Sequence, residues 1–592
     1  MASSYNPRLF MPGFNVFLNC KPDQNVMTKW FHGFPNALDG QALQDGYMSD
    51  LVTHREVLMM RVMNTITDKP QWDQKVFDED ITAKWRNEVA QSGQDVTSNM
   101  MDWIIRELQW KANILKKTGY VRVFDVGVVK SDTAVSKEIQ QALKEAVNPF
   151  EDMSEKDYHP GSDSKVVDLV HPSLFPVIYG QTRVLPDRTI DLNDCLGSVG
   201  QGDLVPIPSS QDCAPVPENR AYYNEQFRFS VFSDKFQWLP CDVELVDNAN
   251  CRIISYINNA HPVHHKSLYE VVEKIIARAI PLWNRSLSVI HSPRIEYQRV
   301  EYGEHLDPEP VQNDDDSDFD EDDFWDVHRE WRNRRPIIRP EPDSFQPPHE
   351  RHSADLREQF PNAKLQIIVK LANIELSPDK PNYEGGSWHI EGQLNERICA
   401  TAIYYYDSEN ITDNSLSFRQ RGMMDMLDIV YEQGEYAFLQ AIFGFGEDVE
   451  GNGSNRDITQ SLGAISCKEG RLLTFPNTVQ HRVSPFSLAD PSKPGHRKIL
   501  ALFLVDPHRR IISSANVPPQ REDWAHERQS AVNQALADLP LELQNIVQGD
   551  LEPLVTMEKA KEYRLELMEE RGLRSDKQNE CFEEGDFSLC EH

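Results

Sequence analysis

Two segments constrain this chain more than any other part of it. The first is Gly385-Gly386-Ser387-Trp388-His389-Ile390-Glu391-Gly392, and the second is Phe475-Pro476-Asn477-Thr478-Val479-Gln480-His481-Arg482-Val483-Ser484-Pro485. In an extended strand residues i and i+2 share a face, so His389 and Glu391 point one way and Ile390 the other. Two imidazoles and one carboxylate can occupy one face of an octahedral metal and leave the opposite face open, a donor set suited to iron(II). The third ligand must come from a distant strand. His481 follows about ninety residues later, just after the apolar run Arg471-Leu472-Leu473-Thr474-Phe475. That run predicts a strand facing the first across a barrel or sandwich.

A further strand signal is Gly495-His496-Arg497-Lys498-Ile499-Leu500-Ala501-Leu502-Phe503-Leu504-Val505, a charged start to a buried strand. Burying a guanidinium is costly unless it meets a partner, and the Arg fork suits a carboxylate. Arg497 is therefore the expected anchor for an acid, with His496 and Lys498 on the opposite face. In the strand predicted over Ile398 to Tyr406, Tyr404 and Tyr406 share a face and Tyr405 takes the other. Tyr404 is the candidate phenol for the same acid, aromatic packing being the alternative role. His261, His264 and His265 cluster beside Pro262 ahead of a helix, where capping or packing is favoured over a second metal site.

The order H-x-E, then H-R-V-S-P, then G-x-R opening an apolar strand resembles the 2-oxoglutarate- and iron(II)-dependent dioxygenases with a double-stranded β-helix core, especially their prolyl-hydroxylase-like branch. That resemblance covers about a third of the chain. It implies that His389, Glu391 and His481 hold iron(II), that Arg497, with Tyr404, binds 2-oxoglutarate, and that a small molecule or a protein is hydroxylated or demethylated. Three departures stand out: Glu391 where most such enzymes have Asp, a longer gap from His481 to Arg497, and no R-x-S pair at Arg497. The blocks Phe236-Gln237-Trp238-Leu239-Pro240-Cys241, Ser255-Tyr256-Ile257-Asn258-Asn259 and Ile280-Pro281-Leu282-Trp283-Asn284 resemble the fungal DUF4246 family, whose name carries no activity. Two other function classes fit parts of the pattern: a non-catalytic β-helix scaffold for protein interaction, and a zinc-bearing cupin-type hydrolase or isomerase, which has no need of Arg497.

The expected fold class is α+β: a jelly-roll-like core, a helix-rich N-terminal region and a helical C-terminal tail. The expected divisions are 1–150, helix-rich; 151–290, mixed and buttressing; 291–516, the core with an acidic insertion at about 311–345; and 517–592, helical, with roughly the last twenty residues frayed. Thr97 opens a helix that ends near Gly119, a second amphipathic helix from Leu268 is expected to halt at Pro281, and Leu365 to Leu376 alternates as a long strand. The insertion carries Asp314, Asp315, Asp316, Asp318, Asp320, Glu321, Asp322 and Asp323, and the basic stretch from Arg329 to Arg335 is expected to fold back on it. A net charge of -33 disfavours a nucleic-acid partner. Nine cysteines without a C-x-x-C pair, no apolar leader and no span of transmembrane length predict a protein away from membranes, cytoplasmic or nuclear.

Overall fold

The computed structural model describes residues 33–38, 51–209, 232–247, 249–291, 293–304, 307–311, 321–361, 363–422, 429–432, 435–446, 456–525, 540 and 554–585. The strands that build the two main sheets and the pair beside them are β1 (Val121–Phe124), β2 (Val128–Ser131), β3 (Val166–Val170), β4 (Cys241–Leu245), β5 (Cys251–Ile253), β6 (Lys364–Leu376), β7 (Asn382–Tyr383), β8 (Ile398–Glu409), β9 (Ser415–Arg421), β10 (Thr459–Ser466), β11 (Leu472–Pro476), β12 (Gln480–Val483), β13 (Phe486–Ser487) and β14 (Gly495–Val505). The helices that frame them are α1 (His54–Thr67), α2 (Ser98–Thr118), α3 (Lys266–Leu287) and α4 (Met557–Glu583).

A large antiparallel sheet runs in the order β1-β2-β11-β8-β14-β6-β4-β5, with β3 also on β6. A small antiparallel sheet, β10-β9-β12, faces it, and β7 pairs with β13 beside them. No closed barrel forms among the described residues, and the protein is a mixed α and β fold built on antiparallel sheets. The large sheet draws strands from each of the first three stretches set apart above.

Both faces of the large sheet are covered, which is why Ile398 to Tyr406 of β8 and Ile499 to Val505 of β14 are apolar almost throughout. On one face, Tyr405, Leu473, Phe475, Ala501 and Phe503 pack against Leu416 and Phe418 of β9, Leu462 and Ile465 of β10, and the buried sides of α1 and α2. On the other, Tyr404, Tyr406, Leu500 and Leu502 pack against Ile276, Trp283 and their neighbours on α3.

Local signals set most helix ends. Thr97 caps α2, its hydroxyl accepting from Met100 N at 3.2 Å, and Gly119 ends it with φ 78°. The expected stop at Pro281 does not occur: α3 runs on to Leu287. Proline there removes one intrahelical bond, but Leu282, Trp283, Ser286 and Leu287 beyond it are buried in the core, and that packing holds the last turns helical.

The tail also differs from expectation. Helix α4 continues to Glu583, and Glu584 and Gly585 pair with Arg456 and Asp457, so the chain is docked well into its last twenty residues. Of the basic stretch, Arg332 and Arg335 pair with Glu432, at 2.9 and 2.6 Å. Asp314 to Asp320 lie outside the described residues, as do Cys20, Cys213 and Cys590 and most of the tail before Met557. No described helix is long and apolar enough to cross a membrane.

One buried cation ties α1 to the sheet. The fully enclosed Arg471, at the start of β11, makes two bonds to Asp132 (2.6 and 2.8 Å), one to Asp68 after α1 (2.8 Å) and one to Ser466 O (2.9 Å). Lys130 joins it on Asp68 at 2.7 Å. Removing the guanidinium leaves two carboxylates with one buried ammonium, so Arg471→Met should lose about 3–5 kcal/mol of stability, read as a lower urea midpoint at unchanged slope.

Candidate metal and anion site

The H-x-E segment does not belong to a long strand; it joins the small sheet through one bridged pair of residues, beside a bond from Gly386 N to Val483 O at 3.0 Å. His389 N donates to His481 O at 3.2 Å and His481 N donates to His389 O at 3.1 Å. A side chain completes the join. The amide of Asn477, itself buried, accepts from Glu391 N at 3.1 Å and donates to Glu391 O at 3.0 Å. Asn477 thus supplies the pair of bonds that a neighbouring backbone would supply in a ladder.

These constraints bring His389, Glu391 and His481 together, with one ligand atom of each lying within 4.8 Å of the others. Glu391 Oε1 is 3.3 Å from His481 Nε2 and 3.7 Å from His389 Nε2. His389 Nδ1 lies 2.9 Å from Ser387 O, so it carries the proton and leaves Nε2 free to ligate. The ring of His481 packs on Phe475 at 4.6 Å. Burial pushes the His481 imidazolium down to about 4, further lowered by His389, so this ring is neutral at physiological pH. Burial opposes charge on His389 as well, but the Glu391 carboxylate outweighs it and raises the pKa above the usual value. Burial works against ionised Glu391, and its two imidazole partners more than offset that, holding it well below the usual carboxylate range.

Arg497 opens onto the inner face of β14, where alternation also places Ile499, Ala501 and Phe503. It is 3% exposed. Nη1 donates to Asn414 Oδ1 at 2.8 Å, Nε is buried without an acceptor, and the guanidinium lies over the rings of Phe486 (5.1 Å) and Tyr405 (5.7 Å). Among the described residues it makes no ion pair. Asn414 stands just before β9, in which Phe418 pairs with His481; that step of four residues spans roughly 13 Å of strand.

Tyr404 is not beside Arg497. It lies on the far face of β8 with the α3 residues, its hydroxyl buried without a partner, while Tyr405 is the ring that faces Arg497. His496 and Lys498 are also on the far face and are occupied, His496 by Asp407 (3.0 Å) and Lys498 by Glu151 (2.9 Å). His261, His264 and His265 form a turn: His261 N donates to His265 Nδ1 at 2.9 Å, and the rings of His261 and His264 stack at 4.1 Å.

A second cluster of potential ligands, His159, Asp168 and His171, was not singled out by the sequence. Its chemistry argues against a metal. Ser173 N donates to His171 Nδ1 at 3.2 Å, which puts the ring proton on Nε2, and the guanidinium of Arg564 already lies 3.5 Å from Asp168 Oδ2. The cluster is instead where α4 docks, with Arg564 held by two bonds to Asp157 at 2.7 and 2.9 Å.

Helix α4 reaches the ligand strands too. Asn579 Nδ2 donates to Trp388 O at 3.0 Å and its Oδ1 accepts from Gln480 Nε2 at 2.7 Å, so it touches the residues preceding both His389 and His481. Trp388 is held between Arg419 and Arg482, each 4.7 Å from its ring centre. Arg419 pairs in turn with Glu583 at the end of α4.

A family model described as "Protein of unknown function (DUF4246)" matches residues 98–528, and one described as "Domain of unknown function DUF4246, N-terminal" matches residues 11–88. The chain belongs to the DUF4246 family. Among solved structures this DUF4246 protein is similar to a selenomethionine-labelled Fe(II)/α-ketoglutarate-dependent dioxygenase, TqaL (17% identity, 25% of this chain and 43% of that one). It is also similar to IDO from Bacillus thuringiensis (13% identity, 24% and 47%) and to a bsmA homolog from Methylobium petroleophilum PM1 (9% identity, 28% and 66%). The TM-score is 0.14 in all three, and the chain spans less than two thirds of each. No curated protein matches it.

Asn477 was missed in the sequence because an Asn after Pro476 reads as an ordinary turn residue. Its role is checkable. Asn477→Ala removes both bonds to the Glu391 backbone and should weaken Mn(II) or Fe(II) binding by about 10- to 100-fold, measured by titration of the metal-free protein.

Proposed function

We propose that this DUF4246 protein is a 2-oxoglutarate- and iron(II)-dependent dioxygenase that hydroxylates or demethylates a small molecule or a protein. The observation that carries the proposal is Arg497: a buried guanidinium with an orphaned Nε–H and no carboxylate partner among the described residues, on the face of the large sheet that packs toward the small sheet carrying His481. An unpaired buried charge of this kind is costly unless an anion is bound. A non-catalytic scaffold has no use for it, and a zinc hydrolase needs the ligands but not the cation.

Strand order supports the same conclusion. Taking β6, the H-x-E segment, β8, β9, β10, β11, β12 and β14 as eight successive strands, the first pairs with the eighth, the second with the seventh, the third with the sixth and the fourth with the fifth. That nesting is what a long antiparallel hairpin rolled into two facing sheets produces, and we read it as the double-stranded β-helix.

In this proposal the three ligands would hold iron(II), and Arg497 the distal carboxylate of 2-oxoglutarate. Iron(II) with 2-oxoglutarate and dioxygen would supply the oxidising power for attack on an unactivated carbon. The chain's own groups do the rest. Ser387 O fixes the His389 tautomer, and Asn477 fixes the Glu391 backbone. Tyr405, rather than Tyr404, walls the cofactor carboxylate. Trp388 and Asn579 of α4 keep water from one side of the ligands.

The direct test is isothermal titration of 2-oxoglutarate into manganese-loaded protein. Arg497→Ala should bind the acid about 10- to 100-fold more weakly, and Arg497→Lys should recover only part of the loss because the fork is gone. Unchanged affinity in Arg497→Ala would mean that the acid is held elsewhere.

A further inference from the structure

Away from the ligands lies a cavity of about 130 Å³, between α2, β1 and the segment around Phe345. It shares no lining residue with the site formed by His389, Glu391, His481, Arg497 and Tyr405. Its walls are aromatic: Phe345 meets Trp103 edge-on at 5.4 Å and Trp110 at 6.3 Å between ring centres. An apolar cavity of about 150 Å³ takes up benzene, so a single six-membered ring is the upper limit of what this slightly smaller space admits.

The charges around it do not balance. Four cations and three carboxylates line the space. Glu107 is taken by Arg294 (2.8 Å) and Lys111 (2.9 Å), Asp125 by Arg294, and Glu350 by Arg285. Arg122 is left over. Its Nη2 donates to Ser288 O at 2.6 Å, its Nε is buried without an acceptor, and it has no ion pair among the described residues. Burial pulls its pKa down to about 10, against a raising influence from the nearby Asp125 carboxylate.

We propose that this cavity is a binding site for a monocyclic aromatic carboxylate, its ring against the wall formed by Trp103, Trp110 and Phe345 and its carboxylate on Arg122. One anion would neutralise the surplus cation and satisfy the orphaned Nε–H, and one ring would fill the aromatic space. The site is separate from the proposed oxygenase centre and does not depend on that assignment.

The test is isothermal titration of phenylacetate into the full chain, with phenylacetamide as the neutral isostere. One saturable site is expected, weakened about 10- to 100-fold in Arg122→Gln and for the amide, and unchanged in Arg497→Ala. Should Arg122→Gln fail to fold, Trp110→Leu, which alters a half-buried wall and leaves the charge in place, must weaken binding as well. Absence of saturable binding to the wild type, equal affinity for the amide, or loss of binding in Arg497→Ala would each overturn the proposal, the last by sending the acid to the other site.

Discussion

The reciprocal backbone bonds between His389 and His481 are the constraint on which the site depends. The Glu391 carboxylate and its two imidazole partners favour one another, but that attraction alone does not set the register that builds the cluster. The backbone assembles it. The small sheet delivers His481, one bridge fixes His389 opposite it, and the Asn477 amide extends that bridge by one more step to Glu391. Only then does alternation turn His389 and Glu391 toward the same point. A one-residue slip in this register would turn both ligands away together.

The same protein shows how it treats buried cations when they are structural. Arg471 is enclosed by Asp132 and Asp68, Arg294 by Glu107 and Asp125, and Arg564 by Asp157 with Asp168 nearby. Each joins elements far apart in the chain. Arg497 and Arg122 depart from this pattern: neither makes an ion pair among the described residues, Arg497 lies over aromatic rings, and the part-buried Arg122 borders an aromatic-walled space. That contrast within one molecule gives both positions their reading as places for an external acid.

Much of this was legible from residue spacing. The meeting of His389, Glu391 and His481 followed from i, i+2 alternation and one distant His, the inward Arg497 from its place at the start of an apolar strand, and α2 from Thr97 and Gly119. What stayed hidden depended on tertiary context. Both faces of β8 are buried, so nothing in Tyr404-Tyr405-Tyr406 says which face meets the site. Pro281 is overruled by the packing of Leu282 and Trp283. Helix α4 is charged on most sides, with Ala560, Arg564, Leu567 and Phe582 its buried contacts, so its sequence gave no stripe to mark where it docks. Asn477 imitates a strand with a side chain, which no strand pattern registers.

The central claim is that the three ligands and the neighbouring cation form one iron and 2-oxoglutarate site. Anaerobic titration of the full chain with iron(II) and then 2-oxoglutarate tests it most directly, because chelation of iron by the 2-oxo acid gives a weak visible charge-transfer band. The assignment predicts a band that saturates at one iron per chain and is lost in His481→Ala. No band in the wild type, or the same band in His481→Ala, would contradict it.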